Sequence, residues 1–237
     1  MNQRENELPW PDHVSNLISN TSEVQKLIRI HQAITGGQRG RPPDLEALHK
    51  SGVVLLVACW EAYIEDLAAN AFCVLLDNAA SPDVFPTRVL TLASRSLRGD
   101  DDERKVWELA GDGWRSVLEA HRDNLFERYI GRLNTPRPAQ VDTLFESLIG
   151  LRSLSKHWKW KGMTNKKAVA KLDELITLRG EIAHRVTASQ PVQRRYVEGA
   201  VEFINRLAAI SSNTVVQYII ELSGVTPWTV VMYGKTG

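Results

Sequence analysis

The sequence predicts an all-α fold, and three observations carry that prediction. Apolar residues recur at the helical period along nearly the whole chain. No segment shows several alternating strands joined by hairpin turns. Prolines and glycines fall between the periodic stretches, where they end one helix before the next begins. At 237 residues the chain is long enough for one sizeable core, so we expect one domain with appendages.

A first helix is expected from about Val14 to Ile34, ending at "TGGQRGRPP", whose glycines and paired prolines make a loop or hinge. Asp44 is a suitable N-cap for a long second helix, "LEALHKSGVVLLVACWEAYIEDLAANAFCVLLDNA", which Pro82 ends. Its nearly all-apolar stretch from 53 to 60 marks it as the central helix. From 83 to 138 shorter helices follow, punctuated by prolines, and the acidic start of "GDDDERKVWELAGDGW" suits a helix N-terminus as a solvated cap. Residues 140 to 149 make a short helix, and "GLRSLSKHWKWKGMTNKK" an irregular basic connector. Two long helices close the bundle, at about 166 to 186 and, with Pro191 at its start, about 191 to 222. The tail "VTPWTVVMYGKTG" reads as a short strand or an ordered arm. The expected organisation is therefore 1–43 as N-terminal helix and hinge loop, 44–222 as helical bundle, and 223–237 as tail.

Basic and acidic residues nearly balance, 29 against 28, so attraction to nucleic acid must come from local clustering of charge. No apolar run approaches the ~20 residues of a membrane span, and the N-terminus "MNQRENELPW" lacks a signal-peptide core, so a cytoplasmic protein is expected. Cys59 and Cys73 would lie about 21 Å apart on one helix, beyond disulfide reach, which suits buried thiols in a reducing compartment. The histidines show no metal-ligand spacing, and neither metal nor cofactor is predicted.

The stretch "LDELITLRGEIAHRV" carries the sharpest chemical signal. Leu172, Leu175, Ile176, Ile182, Ala183 and Val186 share one helical face, and Arg179 falls near its centre. A desolvated guanidinium needs carboxylates or phosphates to satisfy its donors. Arg179 is therefore either paired with Glu61, Glu65 or Asp66 of the central helix or set in a polar groove. His184 lies about 140° around the same helix. Either the helix begins or distorts near Gly180, or two chains bring two copies of the motif together across a two-fold axis. Between Ser147 and Leu172 there are seven basic residues and no acid, with Trp158 and Trp160 interleaved. Lys156, Lys159 and Lys161 suit phosphates, and the two indoles suit stacked bases. The same stretch also reads as a solvated loop anchored by its tryptophans.

At "RGEIAH" the sequence resembles the HEPN superfamily of all-α domains through its R-x4-6-H signature, here Arg179 to His184. Within it, "GVVLLVACWEAYIEDLAANAF" resembles the L-E-A-[FY]-[IL]-E-D-L pattern of the RiboL-PSP-HEPN group. "GLRSLSKHWKW" ahead of "LDELITLRGEIAH" resembles that group's connector and motif helix. The three blocks come in family order over about 50 to 190. The resemblance implies a HEPN-type bundle, a homodimer with a composite site, Arg179 and His184 as the catalytic pair, and Glu61 or Glu65 as a supporting acid. Arg185 joins the lysines and tryptophans as an RNA contact. The implied activity is metal-independent endoribonuclease cleavage, with RNA as substrate, in a toxin or host-defence effector restrained by a regulatory or antitoxin protein. The chain departs from the pattern at Gly180, where active members often carry Asn, Asp or His. The rival readings are a non-catalytic HEPN module that binds RNA, a nucleotide or a protein, and a helical scaffold held by an Arg179–Glu61 pair.

Overall fold

The structure, a computed structural model, describes residues 8–35, 45–98, 103–130, 136–185 and 191–232. Among these residues it holds eight α-helices and no strand. They are α1 (Asp12–Thr35), α2 (Glu46–Asn78), α3 (Thr87–Ala93), α4 (Arg95–Arg98), α5 (Gly113–Ile130), α6 (Pro138–Leu148), α7 (Asn165–Arg185) and α8 (Arg194–Ser223).

Helix α2 is the axis of the bundle, as its apolar composition predicts. Val53, Leu56, Val57, Trp60, Ile64, Leu67, Phe72 and Leu75 are all buried along it. Its 33 residues span about 50 Å. Helix α1 runs against it in the opposite direction. His13 of α1 meets Asn70 at one end, Asn16 donates to Asp66 at 2.9 Å, and His31 meets His49 at the other end. Val14, Leu17, Val24 and Ile28 place α1 in the same core. Helix α8 runs with α2: Gly52 lies against Val197, and the Tyr63 hydroxyl donates to the Ala208 carbonyl at 2.6 Å. Helices α6 and α7 pack on the remaining sides of α2.

Local signals set several boundaries. Pro138 occupies the first turn of α6, where its missing N–H costs nothing, and the Gln140 side chain accepts the Arg137 N–H at 3.0 Å. Gly150, at φ +81°, turns the chain beneath Pro86, and a Cβ there would stand 2.5 Å from the proline ring. Gly224 ends α8 in the left-handed conformation.

Some expectations shift. Asp44, the anticipated N-cap, lies outside the described residues. Residues 99–102 of the acidic run lie outside the described residues, and the segment that follows, Glu103–Leu109, is a 3-10 helix rather than an α-helix. Pro191 precedes α8 by three residues, and Gln193 takes the N-cap position. The described part of the tail is an arm, not a strand. It is pinned by Trp228, whose Nε1 donates to Ser212 at 2.9 Å, and by Asn213, which both donates to and accepts from Val231. Thr229 reaches residues 8 and 9, donating to the Leu8 and Pro9 carbonyls.

Cys59 and Cys73 both lie on α2 as free thiols, and burial pushes the Cys59 thiol up to about 11. No helix among the described residues is long and apolar enough to cross a membrane.

Candidate functional site

The motif helix α7 starts at Thr164, whose hydroxyl accepts the Lys167 N–H at 3.3 Å in an N-cap arrangement. Leu172, Leu175, Ile176 and Ile182 are buried as the stripe predicts. Ala183, assigned to the same stripe, is exposed although Ile182 beside it is buried, and Val186 lies outside the described residues. The helix passes through Gly180 without interruption. A break at Gly180, one of the two ways of bringing His184 round to Arg179, is therefore absent.

A bracket between α5 and α6 sets the register of α7 against α2. The Trp60 indole N–H donates to the Pro136 carbonyl at 3.2 Å. The next residue, Arg137, donates to the Asp173 carboxylate at 3.0 Å and to Thr177 at 3.1 Å. Trp60 and the 173–177 turn of α7 thus meet adjacent residues, Pro136 and Arg137. Arg179 and Glu61 then come together, and the Arg179 charge acts on the Glu61 carboxyl.

Arg179 is half-buried, and its Nε is a buried donor with no hydrogen-bond partner. No ion pair to Glu61, Glu65 or Asp66 forms among the described residues. Asp66 is engaged by Asn16 instead. Leaving a buried donor unsatisfied costs on the order of 1–3 kcal/mol, so the protein holds a cation in place at some expense of stability. Burial raises the Glu61 carboxyl above the usual carboxylate range, and Arg179 draws it partly back. Glu65, four residues on, is raised by burial and then by Glu61 and Asp66. Two carboxyls with weakened acidity and one unsatisfied guanidinium therefore share this face of α2 and α7.

Around them the surface is open and small. A Cβ on Gly180 would meet nothing within 4 Å, and Ala58 and Ala183 are exposed. His184 and Arg185 are exposed on the last turn of α7. The His184 ring meets no hydrogen-bond partner among the described residues.

The basic connector divides into an anchored part and an exposed part. Asp142 clamps Ser155 twice at 2.7 Å, through the backbone N–H and through the hydroxyl. Trp158 is fully buried. Its indole N–H donates to Ser211 at 2.9 Å, and its ring meets Trp60 edge to face at 5.9 Å. This corrects the expectation that Trp158 offers a face to bases, because the core already covers that ring. Lys156, Lys159 and Lys161 are exposed, and Trp160 is half-buried. Sequence reasoning missed Arg137 and also Arg206 of α8, whose guanidinium lies over the Trp160 ring at 5.3 Å. Neither carries a local signal, since each acts through a residue remote in sequence.

Among the described residues no group of three or more His, Cys, Asp or Glu is arranged to hold a metal ion. A family model described as RiboL-PSP-HEPN matches residues 15–217, a span from within α1 to within α8. No curated protein and no solved structure matches the chain.

Proposed function

The chain belongs to the RiboL-PSP-HEPN family of the HEPN superfamily, generally associated with ribonuclease activity, and from that premise we propose that it is a metal-independent endoribonuclease. The observation that carries the proposal is the half-buried Arg179, whose Nε has no acceptor among the described residues. A guanidinium held this way on the motif helix suits an anionic ligand that arrives from outside, and RNA supplies phosphate oxygens in the geometry a planar fork prefers.

The proposed reaction uses the substrate's own 2′-hydroxyl. Its oxygen attacks the adjacent phosphorus, the bond to the 5′-oxygen breaks, and the products carry a 2′,3′-cyclic phosphate and a 5′-hydroxyl. An imidazole takes the 2′-hydroxyl proton, and an imidazolium gives one to the departing 5′-oxygen. His184 fills both roles when two copies face each other across a homodimer axis. Arg179 donates to the phosphoryl oxygens as negative charge builds on them. Glu61 and Glu65 support Arg179 electrostatically. Lys156, Lys159, Lys161 and Arg185 contribute sequence-independent attraction to the phosphate backbone. DNA lacks the nucleophile and stays intact. The open surface over Ala58, Gly180 and Ala183 supports the dimer, since small side chains admit close approach of a second copy. The biological setting we favour is a cytoplasmic toxin or defence effector restrained by a protein partner.

One observation favours a second reading, a HEPN module that binds RNA, a nucleotide or a protein without cutting: His184 has no orienting partner among the described residues. The test is incubation of purified protein with total RNA in EDTA, wild type beside His184→Ala. Cleavage by wild type alone, leaving cyclic phosphate ends, supports the enzyme. RNA left intact by both proteins favours the binding module.

A further inference from the structure

Above the anchored part of the connector sits a short stack of cations and aromatic rings that the catalytic proposal does not use. Trp160 and Met163 exchange backbone hydrogen bonds at 3.0 and 2.9 Å around a tight turn, with Gly162 at φ +85°. The turn fixes the Trp160 indole against Phe203 of α8, with ring centroids 6.1 Å apart. The Arg206 guanidinium lies over Trp160 at 5.3 Å, and the Lys171 ammonium lies over Phe203 at 4.7 Å. Trp160, Lys171 and Arg206 are half-buried, whereas Lys159 and Lys161, on either side of Trp160, are exposed.

The arrangement is more specific than a solvated basic loop. An indole needs only one cation over its face to gain the cation–π attraction, and packing against the core would anchor Trp160 without Arg206. Here the ring holds the guanidinium of a half-buried arginine over its face. Arginine planes laid on aromatic rings are platforms on which unpaired bases stack, and the guanidinium brings a positive charge for the neighbouring phosphates. The stretch from Ser147 to Leu172 contains no acidic residue to repel a polyanion. Lys171, which lies over the Phe203 ring beside the platform, and Arg179 share one helix, eight residues and about 12 Å apart along its axis, a distance that a few nucleotides span.

We propose that Arg206, laid on Trp160, is a stacking platform for one unpaired base of a single-stranded RNA, near the Arg179 site. The inference rests on the ribonuclease reading for its substrate, and it makes the substrate single-stranded at that position. Losing the stacked base is expected to weaken binding roughly tenfold, the order seen when a base loses its stacking partner. Lysine at position 206 keeps the charge and removes the plane, which separates stacking from electrostatics.

The experiment measures binding of a fluorescently labelled, non-cleavable 2′-O-methyl RNA single strand to the full chain, scanning one abasic nucleotide along it. Wild type is expected to lose about tenfold in affinity when the abasic nucleotide occupies one position. Arg206→Lys should bind the intact strand about tenfold more weakly and show no further loss at that position. Trp160→Phe, which keeps the core contact, should fall between the two, and equal melting temperatures exclude misfolding as the cause. Undiminished binding by Arg206→Lys, a uniform abasic profile in wild type, or no binding of the strand overturns the platform. Cleavage of total RNA, read separately, tests the enzyme. Cleavage without a platform leaves the ribonuclease reading standing alone, and a platform without cleavage leaves an RNA-binding module.

Discussion

Arg179 and Glu61 face each other across the α2–α7 contact without an ion pair. The guanidinium lowers a carboxyl that burial, the larger effect, holds above its usual range. The pair is therefore coupled through space, and the Arg179 Nε keeps an unused donor. A helical scaffold would close such a contact. Here it stays open, which is the expected state of a site that completes its hydrogen bonds on an anionic ligand.

The first prediction follows from that open contact. Arg179→Ala removes an orphaned donor and no hydrogen bond, so its melting temperature should stay within a few degrees of wild type, while cleavage falls about 10²–10³-fold. Arg179→Lys keeps the charge without the planar fork and should recover only part of the rate. A large fall in melting temperature for Arg179→Ala, read by differential scanning calorimetry, would instead mark Arg179 as a structural cation.

Removing the His184 imidazole tests the complementary half of the site. The side chain is exposed and has no partner among the described residues, so His184→Ala should leave stability unchanged within about 0.5 kcal/mol. Loss of a general acid–base should cost about 10²–10⁴ in single-turnover cleavage rate. Binding of the non-cleavable strand should be unaffected, which separates chemistry from recognition.

Much of this organisation was legible in the chain. The apolar run around Trp60 marked α2 as the central helix, and the stripe from Leu172 to Ile182 marked the buried face of α7, because helical periodicity reports burial directly. Arg179 stood out because it broke that stripe. The fate of the two connector tryptophans was not legible. Trp158 and Trp160 alternate with lysines alike, yet Ser211 and Trp60 draw the first into the core while Arg206 covers the second. Those partners lie 46 or more residues away in sequence, and no local pattern encodes them. Nor could the sequence show that Asp66 was already engaged by Asn16, which removes one of three candidate partners for Arg179.

Gly180 gives one prediction for stability and another for function. Nothing in the protomer requires a glycine there, since a Cβ would meet nothing within 4 Å. In a helix interior, alanine is favoured over glycine by about 0.5–1 kcal/mol, so Gly180→Ala should raise protomer stability by that much in urea titration. If a second copy packs over Ala58 and Gly180, a bulky substitution such as Ala58→Trp should shift the protein to monomer in sedimentation and abolish cleavage. Gly180→Asn supplies the polar side chain that the family resemblance leads us to expect there, and it should raise the rate by helping to hold the phosphate.

The last prediction concerns pH and lies away from the cleavage chemistry. His13 is fully buried between α1, α2, α8 and the tail. The Asn70 amide donates to its Nδ1 at 3.1 Å, and its Nε2 meets the Ser212 hydroxyl at 3.1 Å, where Trp228 also donates. Tyr63 and Trp228 close over the ring edge to face. Burial lowers its pKa to about 4, so the folded state holds a neutral imidazole that the unfolded chain protonates near 6.5. The unfolded state binds more protons between those values, so stability falls as pH drops from about 6.5 to about 4 and levels off below. The loss attributable to His13 is up to about 3 kcal/mol, at 1.36 kcal/mol per pKa unit. His49 and His121, also lowered by burial, act in the same direction. His13→Gln, which offers a hydrogen-bonding side chain without a titrating ring, should flatten the decline between pH 6.5 and 4 in urea titrations. An unchanged slope in that variant would show that His13 does not control it. Because Trp228 shares Ser212 with the ring, protonation should also loosen the tail, read as faster hydrogen exchange at residues 228–231 in acid than at neutral pH after correction for the intrinsic rate.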